Sequence, residues 1–333
     1  FDEANKAGGV RGRTLKLIVK DNGYDAQKAV AVLAPILKQR EAFAVLCPVG
    51  TPPVAATMRM VLKRGVLHLF PFSSSAETYV PSQLLEFASD LPVADQISIA
   101  LAALLNQRGA LHVGVLYRDD SLGRAARLGA MKELARRGLP LTADVAYKPG
   151  TTNFSKQIAT LREKGVELAV LGSVATDVFT IARQARAARF GPVMLCPATC
   201  HVPEMPALGG RSVDKLYATA MTPIAYVSKD ANTRNWARTY ERRFGGPASV
   251  QAFRAYLDAR LFVEALKRSG SRPTPLRFAR VLEKMPPWVD PVYGGVPMNF
   301  SKRNHTGLTT VFLAQIRNGR WTAQSGPLNR PAQ

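Results

Sequence analysis

The chain is short of acid, of sulfur and of imidazole. Its 333 residues hold 24 Asp and Glu against 45 Lys and Arg, with three cysteines and four histidines. So few cysteines exclude a disulfide framework of the kind that staples small secreted domains. Cys196-Pro-Ala-Thr-Cys200 leaves room for one local bridge, but its three-residue spacer is neither a redox nor a zinc pattern. Unpaired or locally paired thiols are the simpler reading. The histidines are scattered and suggest no metal site. No apolar run approaches the roughly 18–20 residues of a membrane span. The longest runs, such as Leu111 to Tyr117, have strand length. No strand-like run leads into G-x-G-x-x-G or G-x-x-x-x-G-K-[ST], which argues against nucleotide chemistry and leaves no cofactor expected. No signal peptide is visible, but the chain opens on Phe1 without a Met, so this says little about where the protein works.

What is present is an apolar content of 47%, enough for a large core, and a length that suits two domains. The formal net charge of +21 raises nucleic acid as a partner. The basic residues are spread, however, and pairs such as Arg136-Arg137 and Arg242-Arg243 sit on helix-like segments without interleaved aromatics. A solvated basic surface that steers anionic ligands is the better expectation. Disorder is expected only in the Pro-rich tail after Gly326.

The pattern alternates strand and helix. Thr14 to Lys20 reads as a strand, and Asp25 caps a helix running through Gln39, with Val30, Leu33, Ile36 and Leu37 at helical spacing. Further strands are expected at Ala42–Cys47, Gly65–Phe70, His112–Tyr117, Leu141–Tyr147, Val166–Leu171 and Val193–Cys196. Helices fall between them, including one capped by Ser121. Longer helices near Thr233–Phe244 and Ser249–Lys267 precede a last strand at Thr309–Ile316. Repeated βα units of this kind predict parallel sheets covered by helices on both faces. The segment around Phe87 to Asp95 separates two such runs, which suggests two doubly wound lobes.

In open parallel sheets, ligands bind beyond the carboxyl ends of the strands. The residues there are Gly50 and Thr51; Phe72, Ser73, Ser74 and Ser75; Ser121 and Leu122; Ser173, Val174 and Ala175; and Ala198 and Thr199. The set is small and rich in hydroxyls. With helix-start amides it suits a carboxylate. Any one of these Ser or Thr residues is more simply a helix cap, but three consecutive serines exceed what capping needs. The set contains no acid–base pair, no Ser-His-Asp order and no metal ligands, so an enzyme is not expected. A DNA-binding regulator would need a helix-turn-helix start, and none is visible.

Several stretches resemble, in order, the branched-chain amino-acid (leucine/isoleucine/valine) binding family. They are Asp2 to Arg13, Asp21-Asn22-Gly23-Tyr24-Asp25 with Ala29-Val30, Pro48-Val49-Gly50-Thr51, Gly150 to Ser155 and Arg183-Gln184-Ala185-Arg186. No one motif is specific, but their order and spacing cover nearly the whole chain. The resemblance implies an α/β type I periplasmic-binding-protein fold of two lobes joined by three crossovers, closing on a ligand by a hinge. It implies one lobe from 1–90 with 222–298 and another from 91–221 with 299–333, and a first strand ahead of Phe1. It also implies a monomeric, periplasmic or otherwise extracytoplasmic binding protein that serves the membrane permease of an ABC transporter. A ligand-sensing receptor domain of the same fold is the alternative. Thr51, Ser73 and Ser74 match the family's carboxylate-gripping positions. The acidic residue that holds an α-ammonium falls at Ala198, and two pocket tyrosines fall at Leu122 and near Val174. An ammonium buried without an anion costs several kcal/mol. The implied ligand is therefore a small carboxylate without an α-amino group, with Phe72 and Leu122 as apolar walls, unless Glu204 or Asp177 supplies the anion.

Overall fold

The structure is a computed structural model. It describes residues 1–333 except 75, 80–82, 110–111, 325 and 330–333, and the side chains of 76 and 77. In chain order the strands are β1 (Ala44–Leu46), β2 (Leu67–Leu69), β3 (Glu86–Phe87), β4 (Val113–Arg118), β5 (Ala143–Tyr147), β6 (Leu168–Gly172), β7 (Val193–Cys196), β8 (Tyr217–Ala220), β9 (Trp288–Val289), β10 (Pro297–Met298), β11 (Thr310–Arg317), β12 (Arg320–Ala323) and β13 (Leu328–Asn329). Two compact units result. The first is Phe1–Asp90, Arg254–Asp290 and Val296–Leu308, and the second is Leu91–Phe253, Pro291–Gly295 and Thr309–Gln333.

The first unit holds a parallel sheet in the order β1-β2-β3, with Ala44 opposite Leu67 and His68 opposite Glu86. A helix at Ala26–Lys38 follows the expected cap, since the Asp25 carboxylate accepts from the Lys28 amide at 2.7 Å. Another at Thr51–Lys63 starts on Pro52 and Pro53, where a missing N–H costs nothing. The strand expected at Thr14–Lys20 does not form. That segment pairs with no described strand, and Leu17 and Val19 stand 61% and 78% exposed. Alternating composition is not sufficient for a strand, because a ladder needs a partner.

The second unit is built on an eight-stranded sheet in the order β12-β11-β8-β7-β6-β4-β5, with β13 pairing β11. Neighbours from β8 to β5 are parallel, and β11 runs antiparallel to β8. The central strands alternate between two apolar clusters. Val113, Val115, Leu168 and Val170 face one cluster with the helices Val93–Arg108 and Ser121–Arg136. Leu116, Ala169 and Leu171 face the other with Ser155–Glu163 and Ala175–Ala187. Both faces of the sheet are therefore covered, which is why β6 is buried along its whole length. Burial of each Val or Leu among these side chains contributes about 1.5–3 kcal/mol.

Three local expectations change. The cap of the helix Ser121–Arg136 is Asp120, whose carboxylate accepts from the Gly123 amide at 3.0 Å, while Ser121 is the first helical residue. The segment after Leu91 is not a mere separator, since it forms the 16-residue helix Val93–Arg108. Past Gly326, Leu328 and Asn329 pair with Val311 and Thr310, and residues 330–333 of that tail lie outside the described residues.

Candidate functional site

β1 and β2 end alike. The residue after each strand, Cys47 and Phe70, takes a left-handed backbone at φ 51° and 57°. Such a conformation is costly for bulky residues and is kept only where the surroundings enforce it. It turns both chains into adjacent loops, which remain tied by a parallel bridge between Val49 and Phe72. The Gly50 amide donates to the Phe72 carbonyl at 3.0 Å, and the Phe72 amide to the Pro48 carbonyl at 2.9 Å. This bracing sets Thr51, Phe72, Ser73 and Ser74 side by side. The Thr51 hydroxyl accepts from the Ser74 amide at 3.0 Å, and the Ser73 carbonyl accepts from the Tyr79 hydroxyl at 3.0 Å. Ser75 lies outside the described residues.

The helix start at Thr51 is poorer in amides than its position suggests. Pro52 and Pro53 have no N–H, and the Val54 amide donates to the Gly50 carbonyl at 2.9 Å. Thr51 thus carries the one remaining amide of that turn.

Behind these loops lies a buried charge cluster in the same unit. Arg254 Nη2 sits 3.0 Å from Asp90 and 3.3 Å from Asp258, and the Cys47 thiol lies 3.7 Å from Asp258. Burial pushes the Asp258 carboxyl up to about 7; Arg254 opposes the shift and Asp90 reinforces it. Burial raises the Asp90 carboxyl and the Cys47 thiol as well. One cation facing two carboxylates favours keeping a proton in the cluster.

In the second unit, the expected residues follow the carboxyl ends of β4, β6 and β7. Leu122 is buried in the cluster that also takes in Tyr117 and the half-buried Val174. Ser173 is fully buried. Its carbonyl accepts from the Thr199 hydroxyl at 2.9 Å and from the Cys200 thiol at 3.4 Å. The Ala198 carbonyl accepts from the Gln251 amide group at 3.3 Å. Val174 precedes the helix Ala175–Ala187, whose start has no side-chain cap.

Sequence reading missed the polar network beneath these residues. Arg118 and Tyr147 are register partners on β4 and β5. Arg118 pairs with Asp120 at 2.7 Å and with Asp177 at 3.6 Å. The Tyr147 hydroxyl donates to Asp177 at 2.8 Å, the Ser173 hydroxyl lies 3.2 Å from the same carboxylate, and Tyr147 and Ser173 also touch each other. Burial raises the Tyr147 phenol, which therefore stays protonated as a donor. Asp177 is thus consumed by Arg118, Tyr147 and Ser173, whereas Glu204 is exposed at the start of a short helix. The one signal available in the sequence was position, since Arg118, Tyr147 and Ser173 all stand at or just past a strand end.

Cys47, Cys196 and Cys200 are free thiols, and the described residues hold no cluster of metal ligands. Among the described residues, no helix is long and apolar enough to cross a membrane.

A family model described as periplasmic binding protein matches residues 1–320. This chain belongs to that family. Its fold is the type I periplasmic-binding-protein fold read from the sequence, and the family is one of solute binders and not of enzymes. The chain is 21% identical over 272 residues to the leucine-, isoleucine-, valine-, threonine- and alanine-binding protein of Pseudomonas aeruginosa, covering 81% of this chain and 71% of that protein. A branched-chain amino acid ABC transporter protein from Thermus thermophilus with bound valine matches at TM-score 0.86 and 19% identity, over 99% of this chain and 89% of that one. A fatty acid ABC transporter substrate-binding protein from Thermomonospora curvata matches at TM-score 0.84 and 18% identity, over 99% and 85%. At such identities the solved structures speak to the fold alone.

Proposed function

We propose that this periplasmic binding protein works outside the cytoplasm as the capture component of an ABC transporter, as a monomer. Its ligand is a small carboxylate that lacks an α-amino group, passed on to a membrane permease. Thr51, Ser73 and Ser74 grip the carboxylate, with Phe72 and Leu122 as apolar walls and Ser173, Val174, Ala198 and Thr199 completing the ligand-binding set. Lobes of 1–90 with 222–298 and of 91–221 with 299–333 carry these two groups of residues. The observation that carries the reading is the contrast between the two groups. The hydroxyl loops of the first unit are intact, while Ala198 offers a methyl group and a carbonyl already engaged by Gln251. Asp177 is neutralised by Arg118 and held by Tyr147, so it is poorly placed to serve an ammonium. The named binding partners of relatives span both chemistries, branched-chain amino acids with an ammonium and fatty acids without one.

Isothermal titration with leucine, its 2-keto acid and benzoate tests the reading. The two acids are expected to bind and leucine to bind at least about ten-fold more weakly, since an unpaired buried ammonium costs several kcal/mol. Tight leucine binding would overturn the ligand class and leave the capture role standing.

A further inference from the structure

The second unit has a groove of about 610 Å³ at the amino-terminal end of its central strands. It opens at the amino ends of β7 and β8, whereas Ser173, Val174, Ala198 and Thr199 follow the carboxyl ends of β6 and β7. Five cations line it, Arg108, Arg186, Arg189, Arg211 and Lys215, against one carboxylate, Asp214. All six are exposed. The floor is apolar, with Met194 and Leu216 buried beneath the rim.

Two of the five have an ordinary explanation. Arg108 and Arg186 lie in the last turns of the helices Val93–Arg108 and Ala175–Ala187, where a cation complements the helix dipole. They are also held in place, Arg108 by the Tyr217 hydroxyl at 3.1 Å and Arg186 by the Arg211 carbonyl at 3.4 Å. Arg189, Arg211 and Lys215 lie outside those helices. Among the described residues none of the three pairs with a carboxylate, whereas Arg118, Arg124, Arg127, Arg136, Arg137, Arg254, Arg260, Arg268 and Arg280 all do. Lys215 is moreover held at φ 69°, a conformation that side chains disfavour, whereas the φ of 54° at Arg189 is the ordinary left-handed close of the helix Ala175–Ala187, with the Phe190 amide donating to the Ala185 carbonyl at 2.9 Å. Like charges gathered around one concavity repel one another unless an anion joins them.

We infer that this groove is a second anion site, built for phosphate groups held side by side. Charge matching selects that class. Five cations and one carboxylate leave four positive charges facing the groove. A single carboxylate neutralises one, while each phosphate carries up to about two negative charges near neutral pH. Guanidinium forks pair with phosphate oxygens two at a time, which suits the four arginines. A free diphosphate offers the two phosphates on one molecule, and an anionic lipid surface offers neighbouring phosphodiester headgroups with about one charge each, so that several together match the groove.

The test uses the whole chain in two arms. Inorganic pyrophosphate is titrated calorimetrically at several salt concentrations, and binding to vesicles of phosphatidylglycerol in phosphatidylcholine is compared with phosphatidylcholine alone. Saturable binding that weakens with salt is expected in one arm, and the responsive arm identifies the source of the phosphate. The double variant Arg189→Asn/Arg211→Gln is expected to lose at least about ten-fold in affinity there. Arg189→Lys/Arg211→Lys is expected to keep part of it, because charge remains while the fork is lost. Both variants replace exposed side chains, and their urea midpoints are expected to match the parent. Binding of the carboxylate ligand near Thr51 is expected to be unchanged in both. No binding in either arm, or binding unaltered by the Asn/Gln variant, overturns the inference.

Discussion

The Thr51 hydroxyl lies 3.0 Å from the Ser74 amide, tying the loop after β1 to the loop after β2 across 23 residues of chain. It fixes the two hydroxyl-bearing segments against each other, and preorganisation of this kind would lower the cost of binding at the proposed site. Thr51→Val keeps the shape and removes the acceptor. The expected loss is about 1 kcal/mol of stability and about ten-fold in carboxylate affinity. Thr51→Ser restores both. Calorimetry and urea melts on the three proteins check this, and an unchanged affinity in the valine variant would remove Thr51 from the site.

Asp258 gives a pH signature. Its carboxyl is raised from the ordinary 3.8 to about 7, chiefly by burial. The folded chain therefore holds a proton that the unfolded chain releases, so this group's contribution to stability falls as pH rises from about 4 to about 7 and is flat above. Asp258→Asn is expected to remove that fall. The measurement is the urea midpoint of both proteins at intervals from pH 4 to 8. A parallel pair of curves would mean that Asp258 is ionised throughout.

Much of this architecture was legible because parallel strands buried on both faces are written as continuous apolar runs. Val166 to Leu171 announces β6 in that way, and Asp25 marks its helix start by a side chain that does cap it. The helix Val93–Arg108 was illegible for the opposite reason. Ile97, Ile99, Ala100, Leu101, Leu104 and Leu105 are all buried, so it has no polar face to give it a period. β8 hid behind Tyr-Ala-Thr-Ala, a weak strand composition carried by its place between β7 and β11. In the candidate site, the hydroxyl loops could be read because each directly follows a strand. The network of Arg118, Tyr147 and Asp177 could not, because it exists only through the register that sets Arg118 beside Tyr147.

Gly129 marks a close approach of the helices Val93–Arg108 and Ser121–Arg136. A Cβ there would lie 2.2 Å from the Ala94 carbonyl oxygen, which is backbone and cannot swing aside. Gly129→Ala is expected to push the helices apart and cost ~3 kcal/mol, outweighing the gain in helix propensity of under ~1 kcal/mol. Gly246 has open space around its Cβ direction and no left-handed backbone. Gly246→Ala serves as the control and is expected to stay within ~0.5 kcal/mol of the parent or above it. Equal thermal midpoints for the two variants would contradict the close packing at Gly129.

His201 supplies the pH signature of opposite sign. Its ring is buried 4.5 Å from that of Trp321, whose indole N–H donates to the Val202 carbonyl at 2.8 Å. Its Nδ1 finds no partner among the described residues. Burial drives the imidazole from the ordinary 6.5 down to about 3. Below pH 6.5 the unfolded chain takes up a proton that the folded chain refuses, so stability drains away as pH falls from about 6.5 towards about 3. The slope reaches at most ~1.4 kcal/mol per pH unit. His201→Phe preserves the aromatic contact and cannot titrate. It is expected to match the parent above pH 7 and to outlast it in acid, with the gap widening down to about pH 3. This variant and Asp258→Asn therefore tilt the stability curve in opposite directions over nearly the same range, the one gaining on the parent towards acid and the other towards neutrality. Urea melts of both at pH 4 and pH 7 distinguish burial of two separate groups from a general acid weakness, which would shift the two variants alike.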